Sequence, residues 1–300
     1  MCGIVGLFLK DHSYQPKLGD MLSNMLVTLS DRGPDSAGIA IYRNESNHPI
    51  KFTLQSVKPD EDFSYLTENM VLEFGLKTEL KINKNHAVLY VPGTDPTKVR
   101  QWLQDSRPRI KIMSVGQHIE IYKEVGLPKS VIREFDIPSM FGSHGIAHTR
   151  MATESIVNTL GAHPFSTGLD QCLVHNGSLS NHNSLRKKLE NEGMAFETEN
   201  DTEVGAAYLS WKMESGLTLE EALNDALLDL DGFYNFVVGT SNGFGVLRDP
   251  VACKPAVMAE NDHYVAFGSE YRALAVLPNI DQADIWEPEP ATVYFWDNKK

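Results

Sequence analysis

A cysteine in the second position, within Met1-Cys2-Gly3-Ile4-Val5-Gly6-Leu7-Phe8, can serve as a self-sufficient nucleophile. A small residue after the initiator methionine leads us to expect removal of Met1, which would leave Cys2 with a free α-amine beside its own thiol. An α-amine titrates near about 8 and a thiol near about 8.5, so a neutral amine can take the thiol proton directly or through one water. This is the N-terminal form of nucleophile activation, and it needs no histidine. The octapeptide alone also reads as a buried strand with a packed cysteine, so the rest of the chain has to decide.

The other two cysteines, Cys172 in Cys-Leu-Val-His and Cys253 in Val-Ala-Cys-Lys-Pro, sit in apolar, strand-like settings and read as packing residues. Three cysteines do not make a disulfide framework. The chain has no Cys-x-x-Cys and no His-Glu-x-x-His, and its 10 histidines show no ligand spacing, so no metal and no cofactor is expected. Phosphate- and dinucleotide-binding glycine loops are also missing from the sequence.

These residues have to be positioned by a chain of 300 residues, enough for a substantial core. With 42% hydrophobic and 22% charged residues it reads as an ordinary globular protein. No run approaches the roughly 20 apolar residues of a membrane span, and no signal peptide is visible, so no membrane partner and a cytoplasmic location are expected. The net charge of −13 argues against a nucleic-acid partner. After the first strand, Leu18, Met21, Leu22, Met25, Leu26 and Leu29 recur at helical spacing. That helix runs into the breaker Asp31-Arg32-Gly33-Pro34-Asp35 and then a strand from Ile39 to Arg43. Residues 44–142 alternate short strand-like and helix-like runs and read as a small α+β insertion of uncertain role. Beyond it come strands at Ile146–Thr149 and Cys172–His175, then a helix with Asn181 as its expected cap. Helices follow from Thr202 and from Thr218, the latter with Glu221 in capping-box spacing. The remainder is mostly strand. Helices in grouped pairs with many apolar strands predict an α+β fold of two sheets covered by helices, a four-layer αββα sandwich.

Six ordered motifs carry a resemblance. They are Cys2-Gly3-Ile4-Val5-Gly6, Arg32-Gly33-Pro34-Asp35-Ser36-Ala37-Gly38, His148-Thr149-Arg150-Met151-Ala152-Thr153, His163-Pro164, His175-Asn176-Gly177 and Asn200-Asp201-Thr202-Glu203. In this order the chain resembles the class II glutamine amidotransferases, a family of the N-terminal nucleophile hydrolase type with the αββα fold. Arg248-Asp249-Pro250 and Ser269-Glu270 resemble its later strands, so the resemblance treats 1–300 as one amidotransferase domain.

By position, the resemblance makes Cys2 the nucleophile and Asn176 with Gly177 the oxyanion hole. It makes Arg150 the grip on a substrate α-carboxylate and Asp201 the acceptor for its α-ammonium. Thr153 and His163 become supporting pocket residues, and Arg32 orders the nucleophile's surroundings. A zwitterionic amino acid needs one group of each sign, which Arg150 and Asp201 would supply. Alone, each motif also has a structural reading: a turn at Arg32–Asp35, a turn at Asn176-Gly177, an N-cap at Asp201.

The sequence departs from the family pattern at Met151, where an aromatic residue is often found, and at Glu154, where histidine is frequent. The 118-residue interval from Arg32 to Arg150 looks more like the glutaminase part of glutamate synthases. The chain stops soon after Trp296, so a stand-alone glutaminase is expected. It would split L-glutamine and pass ammonia to a separate synthase subunit of the glutamate synthase or N-methylglutamate synthase type. Hydrolysis of another γ-glutamyl amide, or a catalytically silent glutamine-binding regulatory role, are the alternative expectations.

Overall fold

The computed structural model describes residues 2–43, 49–152 and 156–297. The first strand, β1 (Gly3–Leu9), lies in the middle of a seven-stranded sheet. It is flanked on one side by β8 (His144–Arg150), β2 (Ser36–Tyr42) and the edge strand β7 (Ile119–Val125). On the other side come β13 (Tyr264–Gly268), β12 (Val257–Glu260) and β14 (Asp284–Trp286). A second sheet of four strands is ordered β15 (Thr292–Asp297), β11 (Gly243–Arg248), β10 (Gly232–Gly239) and β9 (Cys172–Leu179).

The alternation of side chains along each strand builds the layers. Along β1, Ile4 and Phe8 face the second sheet, and with Tyr42, Ile121 and Ile146 they meet Cys172, Val174, Val237, Phe244 and Val246. The odd-numbered Val5, Leu7 and Leu9 face the opposite way, onto the helix α1 (Leu18–Val27). Helices α5 (Pro128–Glu134) and α9 (Tyr271–Leu274) share that outer layer. The second sheet is covered by α6 (His182–Asn191), α7 (Asp201–Glu214) and α8 (Leu219–Asp229). The molecule is therefore α+β, a four-layer αββα sandwich. Burying each large core side chain contributes about 1.5–3 kcal/mol.

A third, four-stranded sheet is added between β2 and β7: β4 (Glu79–Asn83), β5 (His86–Val91), β3 (Ile50–Gln55) and β6 (Lys111–Gly116). With α2 (Pro59–Asp62), α3 (Leu66–Phe74) and α4 (Pro96–Ser106) it holds its own apolar cluster around Phe52, Leu54, Met70, Leu89 and Leu103. The expected insertion of 44–142 is thus too long at its C-terminal end. The separate layer ends at Gly116, because Ile119 to Val125 pairs with Ser36 to Tyr42 as the edge of the main sheet. The chain is pinned at that crossing by Asp170, whose carboxylate accepts from the amides of Gln117 (2.9 Å), His118 (2.8 Å) and Ile119 (3.0 Å).

Two caps differ from the sequence reading. Asn181 stands at the start of α6 without capping it. Its side chain instead donates to Asp229 O and accepts from the Asp231 amide, tying two loops together. The cap of α7 is Asn200, whose Oδ1 accepts from Thr202 N at 2.9 Å, which leaves the Asp201 carboxylate for other work. The Thr218–Glu221 capping box is present on α8.

Candidate functional site

Strand parity decides what the sheets offer at the end where the chain begins. In β8, Ile146, His148 and Arg150 share the face toward the second sheet, and in β9 Val174 and Asn176 share the face toward the first. Gly3 pairs with Thr149, so one more step of that register sets Cys2 opposite Arg150. Cys2, Arg150 and Asn176 therefore converge on the gap between the two sheets.

The contacts of Cys2 are made mostly through its main chain. Its carbonyl oxygen accepts from Arg32 Nε at 3.0 Å and from Asn176 Nδ2 at 3.3 Å. Ile4, two residues on, is clamped by Ser269, whose Oγ accepts from Ile4 N at 2.9 Å and whose amide donates to Ile4 O at 3.0 Å. The partly exposed thiol lies 4.0 Å from Met151 O. No imidazole hydrogen-bonds that thiol among the described residues.

Arg32 is buried and ion-paired to Glu270, which also holds Arg272 Nε at 2.6 Å; Arg272 in turn binds Asp31 at 2.7 Å. The turn bearing Arg32 is bolted to the end of β8. Thr149 Oγ1 donates to Gly33 O, Asp35 N donates to Arg150 O at 3.0 Å, and Asp35 Oδ2 accepts from Ala152 N at 2.8 Å. A Cβ on Gly33 would fall within 2.6 Å of the Arg150 backbone, so only glycine lets the turn approach this closely.

Gly177 has φ of +150°, and a Cβ there would stand 1.9 Å from Phe233 O. That conformation is glycine's, and it falls immediately after Asn176 within the continuous pairing of β9 with β10. Asp201, at the first turn of α7, accepts from Leu179 N at 2.9 Å and sets its other oxygen 3.7 Å from His175 Nδ1. His163 does not reach Cys2 directly. Its Nε2 is 2.7 Å from Thr202 Oγ1, which also lies 3.0 Å from His175 Nδ1, and its ring stacks on His148 with centroids 4.0 Å apart.

Burial sets the charge state of this cluster. Desolvation pushes His148 down from 6.5 to about 3, holds His163 well below its ordinary value, and lowers His175 against the pull of Asp201. All three rings are neutral at physiological pH. Lys123, wholly buried, is lowered by desolvation to about 8. Its ammonium donates to the carbonyls of Leu160 (3.1 Å), Ala162 (2.8 Å) and Pro164 (3.2 Å), fixing the loop that carries His163.

Of the residues expected from sequence, the structure thus joins Cys2, Arg32 and Asn176 directly. Arg150 is joined through the Asp35 turn, and His163 with Asp201 through Thr202 and His175. Thr153 lies outside the described residues, as does Glu154. Sequence reasoning missed Asp35, Lys123, Thr202 and Glu270 as structural parts of the site. Three of them stand inside or next to motifs already singled out, whereas Lys123 carries no local signal, since its partners lie some forty positions away.

The profile of a family described as glutamine amidotransferase domain matches residues 148–276. The chain is similar to the glutamine amidotransferase-like protein GlxB of Rhizobium meliloti (strain 1021), at 62% identity over 300 residues, covering 100% of this chain and 99% of the relative. It is also 36% identical over 129 residues to the glutamine–fructose-6-phosphate aminotransferase (isomerizing) of Vibrio vulnificus (strain YJ016), covering 43% of this chain and 21% of that protein. Among solved structures, the glutamine phosphoribosylpyrophosphate amidotransferase from B. subtilis, complexed with ADP and GMP, superposes with a TM-score of 0.64 at 20% identity. That likeness is one of fold. It covers 99% of this chain, which spans about half (48%) of the longer structure.

Proposed function

We propose a function from one premise: the chain belongs to the class II glutamine amidotransferase family. It acts as a glutaminase that hydrolyses L-glutamine to glutamate and ammonia through a thioester on Cys2 and supplies the ammonia to a separate synthase subunit. The observation that carries this reading is that Cys2 is gripped by its carbonyl from Arg32 and Asn176 while no imidazole meets its thiol among the described residues. A base must therefore come from elsewhere, and the α-amine exposed by removal of Met1 is the group nearest in the covalent structure.

In the first half-reaction the amine takes the thiol proton and the sulfur attacks the amide carbon of glutamine. The resulting oxyanion is held by Asn176 Nδ2 and the Gly177 amide, and such a donor is worth roughly 3–4 kcal/mol in the transition state. As the C–N bond breaks, the ammonium of Cys2 returns the proton to the leaving nitrogen, and ammonia departs. In the second half-reaction water, deprotonated by the same amine, opens the thioester and releases glutamate. Arg150 supplies a forked cation for the substrate α-carboxylate and Asp201 an acceptor for its α-ammonium, with Thr153 and His163 completing the pocket.

The synthase partner is of the glutamate synthase or N-methylglutamate synthase type, which the long interval between Arg32 and Arg150 favours, and the setting is cytoplasmic. No helix of the described residues is long and apolar enough to cross a membrane. The test is incubation of purified protein, with and without candidate synthase subunits, with L-glutamine and with substituted γ-glutamyl amides, following glutamate and ammonia. Release of ammonia from glutamine supports the reading. Preference for a substituted amide replaces it with a γ-glutamyl amide hydrolase, and absence of turnover in every combination removes it in favour of a silent glutamine-binding subunit.

A further inference from the structure

The hydroxyl of Thr202 sits between two imidazoles, with Nε2 of His163 at 2.7 Å and Nδ1 of His175 at 3.0 Å. Thr202 is 1% exposed, and both rings are buried with it. A hydroxyl carries one proton, so it can donate to only one of its neighbours and must accept from another. The two ring nitrogens facing it therefore cannot be chosen independently.

Three arrangements satisfy that rule, and the surroundings separate them. Were Thr202 to donate to His175 Nδ1, the lone pair of that nitrogen would also face the Asp201 carboxylate at 3.7 Å, an arrangement the carboxylate's charge opposes. Were Thr202 to donate to Asp201 Oδ1, its proton would use a 3.4 Å contact in place of one of 2.7 Å, against the usual 2.5–3.0 Å span of such bonds. In the remaining arrangement His175 Nδ1 donates to Thr202 and Thr202 donates to His163 Nε2. That leaves His163 with its proton on Nδ1, a buried atom with no partner among the described residues. His148 is fixed separately, because its Nε2 lies 3.1 Å from the carbonyl oxygen of His175, which can only accept.

We infer that Thr202 is a positioning residue whose hydroxyl sets the tautomers of His163 and His175 together, holding His163 as an Nδ1–H donor next to the candidate glutamine pocket. The buried Nδ1 of His163, without a partner among the described residues, is thereby a donor, where the other tautomer would make it a lone pair. The chain of control runs from the Asp201 carboxylate through His175 and the Thr202 hydroxyl to His163, and every ring in it is neutral. Its contribution to substrate binding rests on the glutaminase reading, whereas the tautomer assignment does not.

The test uses the full chain labelled with 15N-histidine. Long-range proton–nitrogen spectra are recorded at pH 7.5 without substrate, with His163 assigned by the signal lost in His163→Gln. The wild type is expected to show His163 and His175 protonated at Nδ1 and His148 at Nε2. Thr202→Ser should keep that pattern, and Thr202→Val should move the His163 proton to Nε2 or mix the two forms. In the glutaminase assay Thr202→Val should raise the KM for glutamine roughly tenfold with a smaller change in kcat, and Thr202→Ser should stay within about threefold of wild type. Wild-type His163 protonated at Nε2 overturns the inference, even if Thr202→Val fails to fold. So do unchanged tautomers in a folded Thr202→Val. The expected tautomers together with no glutamine turnover in any combination with candidate synthase subunits would uphold the role of Thr202 and reject the glutaminase reading.

Discussion

Lowering the pH from 8 to 5 should remove stability from this fold through its buried imidazoles: His86, His144 and His148 supply a defined part, and His163 and His175, lowered by the same burial, act in the same direction. Burial pushes His86, His144 and His148 each down from 6.5 to about 3. In the unfolded chain the same rings take up a proton near about 6.5, while the native rings refuse it until about 3. The unfolded state therefore binds more protons across that window. The contribution is fully present above about 6.5 and is lost as the pH falls toward 3. At pH 5 each ring costs about 2 kcal/mol, and the three together about 6 kcal/mol. That is comparable with the roughly 5–15 kcal/mol stability of a whole domain. The measurement is urea unfolding at pH 8, 6.5 and 5, where most carboxylates stay ionised. His86→Phe serves as the control, because the ring packs between Phe135 (4.8 Å) and Tyr122 (5.9 Å) and its Nε2 already lacks a partner among the described residues. That variant should recover about 2 kcal/mol of the loss between pH 8 and 5. An unfolding free energy flat to within about 1 kcal/mol over that range, or a His86→Phe profile parallel to wild type, refutes the reasoning.

Asn176→Ala removes a donor to the proposed oxyanion and should lower kcat about 10²–10³-fold with little change in KM, as steady-state kinetics would show. Gly33→Ala drives a Cβ into the Arg150 backbone and should displace the turn that carries Arg32 and Asp35. Its expected effect is a lower melting temperature together with a KM for glutamine raised at least about tenfold, since near-attack geometry tolerates little displacement. A glutamine-mimicking electrophile should label Cys2 and leave Cys172 intact, because burial pushes that thiol up to about 12. Peptide mass spectrometry reads the outcome, and label on Cys172 in the folded protein would contradict the burial argument.

The parts of this site that were legible in the sequence are those whose chemistry or backbone demands a particular residue. Gly33 and Gly177 are glycine because a Cβ at either would collide with main chain, and the breaker at Gly33-Pro34 marks the close approach from sequence alone. The stripe Leu18, Met21, Leu22, Met25, Leu26 has helical period, and each of those residues is buried against the first sheet. The extent of the insertion was not legible. Its last apolar runs, Ile110 to Val115 and His118 to Tyr122, look alike as letters, yet the first strand closes the added layer and the second pairs with β2. Strand order is a property of partners distant in sequence, and hydrophobic alternation does not encode it. Lys123 was invisible for the same reason: three carbonyls that satisfy a buried ammonium leave no trace in composition.

The way Cys2 is held bears on what it can do. A nucleophile that uses its own amine as base needs both reactive ends free, so the structure around it has to grip the remaining polar branch of its Cα. Here that is the carbonyl oxygen, taken by Arg32 from the side of the first sheet and by Asn176 from the second. Arg32 is in turn fixed by Glu270, and Ile4 by Ser269, both from the turn that follows β13. The carbonyl of Cys2 is thus a joint between the two sheets, and their spacing is set by the interdigitated ring of Phe244 and the side chains of Ile4, Phe8 and Ile146. Asn176 has two amide hydrogens and uses one of them here, so the second is available to an oxyanion without releasing the first. The same side chain can then hold the nucleophile in register and stabilise the charge that the nucleophile creates. This is why its loss should act on turnover more than on binding.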